Sequence, residues 1–596
     1  MLGYQTNRII LLLIQLFIAV LFITGIYISF IPYEQLLQFI NDTRPEKPYQ
    51  FFNLEYYKKF QLALALAIII KFSILTFLFF KKPFLLDFIN SIKNEIQDYL
   101  FRAWDDLQSF FRKENQTHIA LLVLLLITGV FIRLLYLDRP VFHDEAKTFY
   151  HSISQSWLNV ISNYWNPNNH IFHSILSKSC YMIFGSDEWA IRLPVFFFGS
   201  LTSLFVYIYS RIFYNKYIAL ILCSLIINGI PLVSYSVNAR GYIIVTLFFL
   251  ILLCLIRLLQ KKDSMVLWML FIFISSLGFW TIPIMVMPII FLFIFYIIDS
   301  TKDIIFHRIK KILIVGLYCG LLGYILYSPV ILRCGLNSII SNPYVQPLNI
   351  LDIFYELPVT FYKLSLFFTS GYSGSLKLFI IIFFVNGILY HLSNRNGKNL
   401  LLTILLFFMI VLFVLKRLPI ERTLLFIYPI FLVITASGIY KFLISVINKL
   451  DYKSYTIINS SVIIIFIITT YVCIQEKAII RMNRDQTFIL AEEVINDIKH
   501  HLEPNNVIVT STPLAGPVRF YMQKNNVDVN KLFWYYKNVN KSILNNFENI
   551  FIITREGRNS LESFGLTDDV ALTDYKTPII WKAYDNSVKV YQIQKL

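Results

Sequence analysis

The sequence has few charged residues for its length. Of its 596 residues, 15% are Asp, Glu, Lys or Arg and 57% are hydrophobic, whereas soluble globular proteins are about one-quarter charged and about half apolar. The mean hydropathy is +0.62. A chain of this composition cannot cover its apolar surface with polar groups in water. The composition therefore excludes an ordinary soluble protein and predicts that lipid is the main solvent.

Cysteine and nucleotide-binding motifs are also scarce. The six cysteines are too few and too scattered to form a disulfide framework, so they do not indicate a redox compartment. The polar C-terminal tail contains neither a GxGxxG nor a GxxxxGK[ST] pattern, which gives no reason to expect a bound nucleotide. The net charge of +17 does not indicate nucleic acid, because the Lys and Arg residues cluster in short loops between apolar segments, where they set membrane topology.

Apolar segments of about 17–23 residues, the length that crosses a bilayer core, recur through residue 474 and predict a polytopic α-helical membrane protein. The first segment is too long for the apolar region of a signal peptide and is expected to stay as an anchor. We predict about thirteen transmembrane helices, at residues 9–31, 60–80, 118–137, 191–213, 217–237, 240–258, 264–282, 283–299, 311–332, 374–393, 400–416, 421–440 and 455–474.

Loop charge predicts the orientation. With a cytoplasmic N-terminus, every inner loop is rich in Lys or Arg, and the outer loops at 32–59, 138–190, 238–240 and 333–373 are less basic, as the positive-inside rule requires. Thirteen crossings would place the C-terminus outside the cytoplasm. The frequent Ile, Asn and Lys residues, with no eukaryotic targeting signal, favour a bacterial inner membrane.

The predicted spans divide the chain into three parts. Residues 1–117 form a two-helix extension followed by an amphipathic cytoplasmic stretch, and residues 118–474 form the membrane core with its long outer loop at 138–190. The tail at 475–596 alternates helix and strand patterns and predicts a small extracytoplasmic α/β domain.

The long outer loop contains the residues with the clearest chemical potential. Asp144 and Glu145 follow the third predicted span and are embedded among apolar and aromatic residues, where desolvation can turn a carboxylate into a general base. Arg192 and Arg240 lie at the same membrane face. Together they suggest a phosphate clamp, since guanidinium groups bind phosphate in a bidentate manner.

Four elements in a fixed order resemble the glycosyltransferase family 39 superfamily, which includes the protein O-mannosyltransferases and aminoarabinose transferases and has the C-type polytopic fold. The resemblance runs from about residue 118 to 260, and more loosely to an RLPIER segment at 417–422. Two extra helices at 9–80 and a divergent tail leave the acceptor open. The four elements are Asp144-Glu145, Asn168-Asn169-His170, FG…RLP at 184–194 and YS…ARGY at 235–242.

The resemblance implies transfer of a sugar from a polyprenyl-phosphate donor to an acceptor hydroxyl or phosphate with inversion, without a required cofactor. Asp144 would be the base, and Glu145 would orient the acceptor or hold a divalent cation. Further residues would bind the donor phosphate or contact the substrates, namely Asn169, His170, Arg192, Arg240, Tyr242 and Arg422. The acceptor could be a glycan, a lipid or a protein.

Other interpretations stay open from sequence. Four histidines share the outer loop, so a metal site involving His143 and Glu145 is conceivable, although no HExxH pair occurs. A transporter or flippase of lipid-linked sugars would also be polytopic, but such proteins usually place ionisable residues at mid-membrane. A third alternative is a non-catalytic assembly protein whose tail binds partners.

Overall fold

The computed structural model is dominated by helices that surround one central helix. It describes the parts of the chain within 12–42 and 54–76 only in part, and otherwise describes 81–475, 488–535, 547–555 and 576–595, with gaps at 165–166, 300–301, 341–346, 373, 451–453, 577 and 585–587. The spans predicted at 9–31 and 60–80 are described only in part.

The helices are numbered in chain order over the described residues. They are α1 Tyr33–Asp42, α2 Lys82–Lys113, α3 Gln116–Leu135, α4 His143–Thr148, α5 Trp157–Ser162, α6 Ile171–Phe184, α7 Glu188–Phe213, α8 Lys216–Ile226, α9 Ile230–Ser236, α10 Tyr242–Lys261, α11 Met265–Thr281, α12 Val286–Ile298, α13 Lys302–Cys334, α14 Asn337–Ile340, α15 Ile350–Phe368, α16 Gly374–Leu392, α17 Arg395–Met409, α18 Tyr428–Leu450, α19 Ser454–Gln475, α20 Ala491–Ile498 and α21 Ala515–Lys524.

Eight described helices are long and apolar enough to cross a membrane, or nine if α8 and α9 count as one broken span. The central helix α10 is apolar on all sides and mostly buried by its neighbours, as a helix in the middle of a bundle should be. In contrast, α13 is apolar but almost entirely uncovered by protein, so it needs lipid around it.

The thirteen predicted spans differ from the structure at three places. The span predicted at 217–237 is broken between α8 and α9 with a bend of 62°, because Pro231 in the first turn of α9 lacks the N–H needed to continue a helix. Pro283 starts a 3₁₀ turn between α11 and α12. The 17 residues of α11 are at the lower limit of a span, and the 13 residues of α12 are fewer than a span needs. The region predicted as outer loop at 333–373 contains α15, whose Asp352, Glu356 and Lys363 lower its hydropathy below that of a span.

Five strands in the C-terminal region form one sheet in the order β2-β1-β3-β5-β4. The strand β1 is parallel to β2 and β3, while β5 is antiparallel to β3 and β4. The sequence analysis expected strands in this tail, and the structure places a small sheet there. The strands are β1 Asn506–Ser511, β2 Leu532–Tyr535, β3 Asn549–Arg555, β4 Ile579–Ala583 and β5 Val588–Gln594.

The C-terminal region shares its core with the loop at 138–190. Buried residues of α4 and the π turn Phe149–Ile153 form one hydrophobic cluster with residues of α20, α21 and the sheet. The rings of Phe149 and Phe520 lie 4.8 Å apart, and the Val141 amide donates to the Tyr521 hydroxyl at 3.3 Å. The C-terminal region is thus packed directly on the segment that contains Asp144 and Glu145.

Candidate active site

The two adjacent carboxylates lie on the short helix α4 and face different surroundings. Consecutive residues of an α-helix point about 100° apart, so the side chains of Asp144 and Glu145 leave the helix in different directions. The Asp144 side chain is partly exposed and lines a cavity, whereas the Glu145 side chain is completely buried. The sequence indicates the pair, and the helix geometry assigns its members to separate environments.

The cavity has a volume of about 720 Å³ and is lined by both polar and apolar residues. Four of the polar residues, Lys147, Arg240, Arg417 and Arg422, are cationic. The polar lining residues include His143, Asp144, Lys147, Tyr164, Asn168, His170, Arg240, Tyr242, Arg417, Arg422 and Thr512. The apolar lining residues include Ile282, Pro283, Ile284, Val286, Met287, Ile339, Ile340, Pro347, Val414, Leu415 and Ile420.

Asp144 makes an ion pair inside this cavity. Its Oδ2 lies 2.8 Å from Nη1 of Arg422, a residue 278 positions later in the chain. Burial acts to raise the pKa of Asp144, but the positive charges of Arg240 and Arg422 outweigh it, so the pKa lies below the usual value for an aspartate. Asp144 is therefore ionised at neutral pH and able to accept a hydrogen bond or a proton.

Arg240 is fixed in the cavity wall by three hydrogen-bonding groups. Its Nη1 donates to the Thr148 hydroxyl at 3.0 Å and to the Asn168 carbonyl at 2.9 Å, and it also contacts the Asn168 side-chain oxygen. The guanidinium carbons of Arg240 and Arg422 lie 5.8 and 6.0 Å from the centroid of the Tyr242 ring. Three predicted site residues, Arg240, Tyr242 and Arg422, are thus brought together around Asp144.

His170 also lies at this cavity and its tautomer is determined by the backbone. The Gly241 amide donates to Nδ1 at 2.7 Å, so the ring proton must be on Nε2 when the ring is neutral. Burial, reinforced by the charge of Arg240, keeps the pKa of His170 well below its usual range. Among the described residues, Nε2 has no hydrogen-bond partner, so it is a buried N–H available to a ligand.

Glu145 and Arg192 are not brought to the cavity. Glu145 accepts hydrogen bonds from Arg139 Nη1 at 3.0 Å and from Arg192 Nε and Nη2 at 2.9 and 3.0 Å. It also accepts from the amides of Phe142 and Ala239. Burial acts to raise the pKa of Glu145, but the two arginines lower it to about 2. Arg192 donates its remaining hydrogen bonds to loop carbonyls, so its guanidinium has no free edge for a phosphate.

Asn169 likewise faces the protein and its neighbour faces the cavity. The Asn169 side chain bonds to the carbonyls of Val160 and Asn163 and to the Ser174 hydroxyl, which fixes the loop before α6. Asn168 instead lines the cavity and holds Arg240. The structure thus places Asn168 at the cavity, whereas the sequence analysis had named its neighbour Asn169.

Further polar residues of the cavity were not predicted as site residues, among them Lys147, Tyr164 and Arg417. Lys147 is three residues after Asp144 on α4, a spacing that places both on one helix face, so the sequence held a signal for it. Tyr164 follows α5 and Arg417 follows a turn at Lys416, whose φ is 51°, and neither had a local signal.

The described residues contain no group of three or more His, Cys, Asp or Glu side chains arranged to hold a metal ion. His143 lines the cavity beside Asp144, and burial lowers its pKa to about 4. Glu145 is fully occupied by arginines and amides. The cation site considered for His143 and Glu145 therefore has no assembled ligand set within the described part of the chain.

The close packing of α21 on α4 predicts the effect of a single methyl group. A Cβ on Gly516 would lie 2.7 Å from Nδ1 of His143 and 3.2 Å from its carbonyl oxygen. We expect Gly516→Ala to lower the free energy of unfolding by about 1–3 kcal/mol, the usual cost of overpacking, measured by thermal unfolding in detergent. Gly320→Ala is the control, because nothing lies within 4 Å of its added Cβ. Equal unfolding temperatures for both variants would contradict the packing.

The comparisons with known proteins agree with this architecture. The family model described as dolichyl-phosphate-mannose-protein mannosyltransferase matches residues 170–332, and no curated protein sequence matches the chain. The structure of ArnT from Cupriavidus metallidurans in the apo state aligns with 79% of this chain and 97% of ArnT, at 11% identity and a TM-score of 0.53. ArnT bound to undecaprenyl phosphate aligns over the same shares at 12% identity and a TM-score of 0.50. The oligosaccharyltransferase of Archaeoglobus fulgidus matches 79% of this chain and 72% of its own at 13% identity, with a TM-score of 0.46.

The resemblance inferred from the sequence is thereby confirmed: the chain is a polytopic membrane protein with the fold of the C-type glycosyltransferases. The matched family segment begins at His170 and so does not include Asp144 or Glu145. The roles of those residues rest on the cavity geometry and not on the family match.

Proposed function

We propose that this protein is a membrane glycosyltransferase that takes a sugar from a polyprenyl-phosphate donor. The observation that supports this most directly is a cavity lined by one ionised carboxylate, several arginines and a set of apolar residues. A polyprenyl-phosphate sugar likewise combines a charged head with an apolar tail. The ArnT structure with bound undecaprenyl phosphate shows that the shared fold can hold such a lipid in that protein.

The cationic residues of the cavity suit the donor phosphate. Guanidinium groups bind phosphate oxygens through paired, charge-assisted hydrogen bonds, and Arg240 and Arg422 meet at the Tyr242 ring. Lys147, Arg417 and the Nε2 proton of His170 add further positive or donor groups to the cavity lining. In this proposal Arg240, Arg422 and Tyr242 contact the phosphate, and the apolar lining residues contact the first isoprene units.

Asp144 is positioned to act as the base in a single displacement. The acceptor oxygen forms a bond to the anomeric carbon while the bond from that carbon to the phosphate oxygen breaks. The acceptor proton passes to the Asp144 carboxylate, and the bonding electron pair leaves with the phosphate, whose charge the arginines stabilise. One displacement inverts the anomeric configuration and releases polyprenyl phosphate.

Glu145 and Arg192 have a positioning role in this proposal. With Arg139 they hold the loop and α4 against α7, so they determine where the neighbouring Asp144 points. Asn169 fixes the loop before His170 in the same way. We further propose that the cavity faces the outer side of a bacterial inner membrane, with the N-terminus cytoplasmic and the C-terminus outside.

The test is sugar transfer by the purified full-length protein in lipid, with a panel of polyprenyl-phosphate sugars and a crude envelope extract as acceptor. The free polyprenols serve as controls for nonspecific uptake. Formation of polyprenyl phosphate, by transfer or by slow hydrolysis, supports the proposal and identifies the donor sugar. If no donor is consumed while labelled donor crosses the bilayer of sealed vesicles, the glycosyltransferase assignment is wrong and the protein is a transporter.

A further inference from the structure

The ion pair between Asp144 and Arg422 joins the proposed base to a proposed phosphate ligand. The Arg422 side chain keeps 31% of its surface exposed and its Nη1 lies 2.8 Å from Asp144 Oδ2. Within the described part of the chain, this carboxylate is the one hydrogen-bond acceptor of the Arg422 side chain. A substrate phosphate in this cavity would therefore meet an arginine that is already paired with the base.

Arg240, in contrast to Arg422, is held in place by several hydrogen bonds. It is 3% exposed, and three hydrogen-bonding groups on α4 and at Asn168 fix its Nη1. Both guanidinium groups nevertheless lie at the same Tyr242 ring. Arg422 is thus the arginine that can turn towards a ligand without breaking a network, and Arg240 is a stationary partner for the same phosphate.

We propose that the donor phosphate takes Arg422 away from Asp144, so that donor binding releases the carboxylate for the acceptor hydroxyl. This inference rests on the proposed function. Two anions, the carboxylate and the phosphate, compete for one guanidinium, and the phosphate can bind it through two oxygens. Without donor, the base is neutralised by Arg422. When the donor is bound, Arg422 no longer pairs with Asp144. Asp144 therefore becomes a better proton acceptor.

The direction of the pKa shift agrees with this exchange. Burial acts to raise the pKa of Asp144, and Arg240 and Arg422 lower it. Transfer of Arg422 to the phosphate removes part of the lowering and leaves the burial, so the basicity of Asp144 rises when the donor arrives. The expected kinetic consequence is an ordered reaction in which the donor binds before a productive acceptor complex forms.

A double-mutant cycle on lipid binding tests the exchange without catalysis. The probe is a polyprenyl monophosphate bound to the full-length protein in nanodiscs, with the corresponding polyprenol as a phosphate-free control. We expect Asp144→Asn to tighten binding about 5- to 20-fold, because Arg422 becomes available, and Arg422→Gln to weaken it about 10-fold or more. In the Arg422→Gln background, Asp144→Asn should change the affinity by no more than about 2-fold.

Arg417→Gln is the matched control, since Arg417 lines the same cavity but has no ion pair with Asp144. Asp144→Asn should tighten binding by the same factor in the Arg417→Gln background as in the wild-type background. Arg422→Met, which also removes the positive charge, replaces Arg422→Gln if the latter lowers the unfolding temperature. If Asp144→Asn tightens binding equally with and without Arg422, simple repulsion explains it and the exchange is wrong. If wild-type protein binds monophosphate and polyprenol equally, the proposed function itself is wrong.

Discussion

Asp144→Asn is expected to reduce sugar transfer by about 10²–10⁴-fold, the usual contribution of a positioned general base. The substitution keeps the shape of the side chain, but an amide cannot take the acceptor proton. Since Asp144 is partly exposed at the cavity and its backbone carbonyl holds Thr148 and Asn168, the protein should still fold. The measurement is the initial rate of transfer at saturating donor, together with thermal unfolding.

Asp138→Asn is the control for this experiment. Asp138 belongs to the same loop and is exposed, but it does not line the cavity, so its amide variant should transfer sugar at close to the wild-type rate. An Asp144→Asn protein that retains more than about one-tenth of the wild-type rate would show that another group removes the proton. Loss of activity together with a large fall in unfolding temperature would instead indicate a damaged fold.

Much of the membrane architecture could be predicted because a membrane span has a simple sequence signal. A run of about 20 apolar residues is unambiguous, and α3, α7, α10, α16 and α19 were located from it. Prediction failed at α15, whose three charged residues hide its helical pattern, and at Pro231, which divides one apolar run into two helices. In both cases the mean hydropathy of the segment was less informative than single residues within it.

The sequence identified several residues of the candidate site, but it could not show how they contact one another. The motifs identified Asp144, Arg240, Tyr242 and Arg422, and the structure brings all four to one cavity. Sequence order could not show that Arg422 reaches Asp144 across 278 positions. It also could not show that Thr512, from the C-terminal region, lines the same cavity. Such contacts depend on how distant segments pack and leave no periodic pattern.

Unlike Asp144, Glu145 is completely buried among arginines. The second large expected effect therefore concerns the stability of the fold. Glu145→Gln should destabilise the fold by about 3–5 kcal/mol, because it leaves two buried guanidinium groups without a counter-charge. Arg139 and Arg192 are almost completely buried and both bond to Glu145. A glutamine can accept hydrogen bonds through one oxygen only, whereas Glu145 uses both oxygens for five donors.

The pH dependence of this effect has a definite sign. The folded-state pKa of Glu145 is about 2 and its ordinary value is 4.5, so ionised Glu145 contributes stability that is complete above about pH 4.5 and is lost as the pH falls towards 2. The difference in unfolding free energy between wild type and Glu145→Gln should therefore be constant near neutral pH and shrink as the pH falls through that window.

Denaturant unfolding of both proteins measures the difference, with Asp98→Asn as a matched control. Asp98 pairs with Arg102 on the exposed face of α2, where solvent screens the ion pair, so that variant should unfold like wild type. Because the buried arginines hold α4 in place, Glu145→Gln protein that remains folded should also transfer sugar more slowly. A Glu145→Gln variant with wild-type stability but no transfer would reverse the assignment: Glu145 would then act on the substrates, and the buried network would not be what positions Asp144.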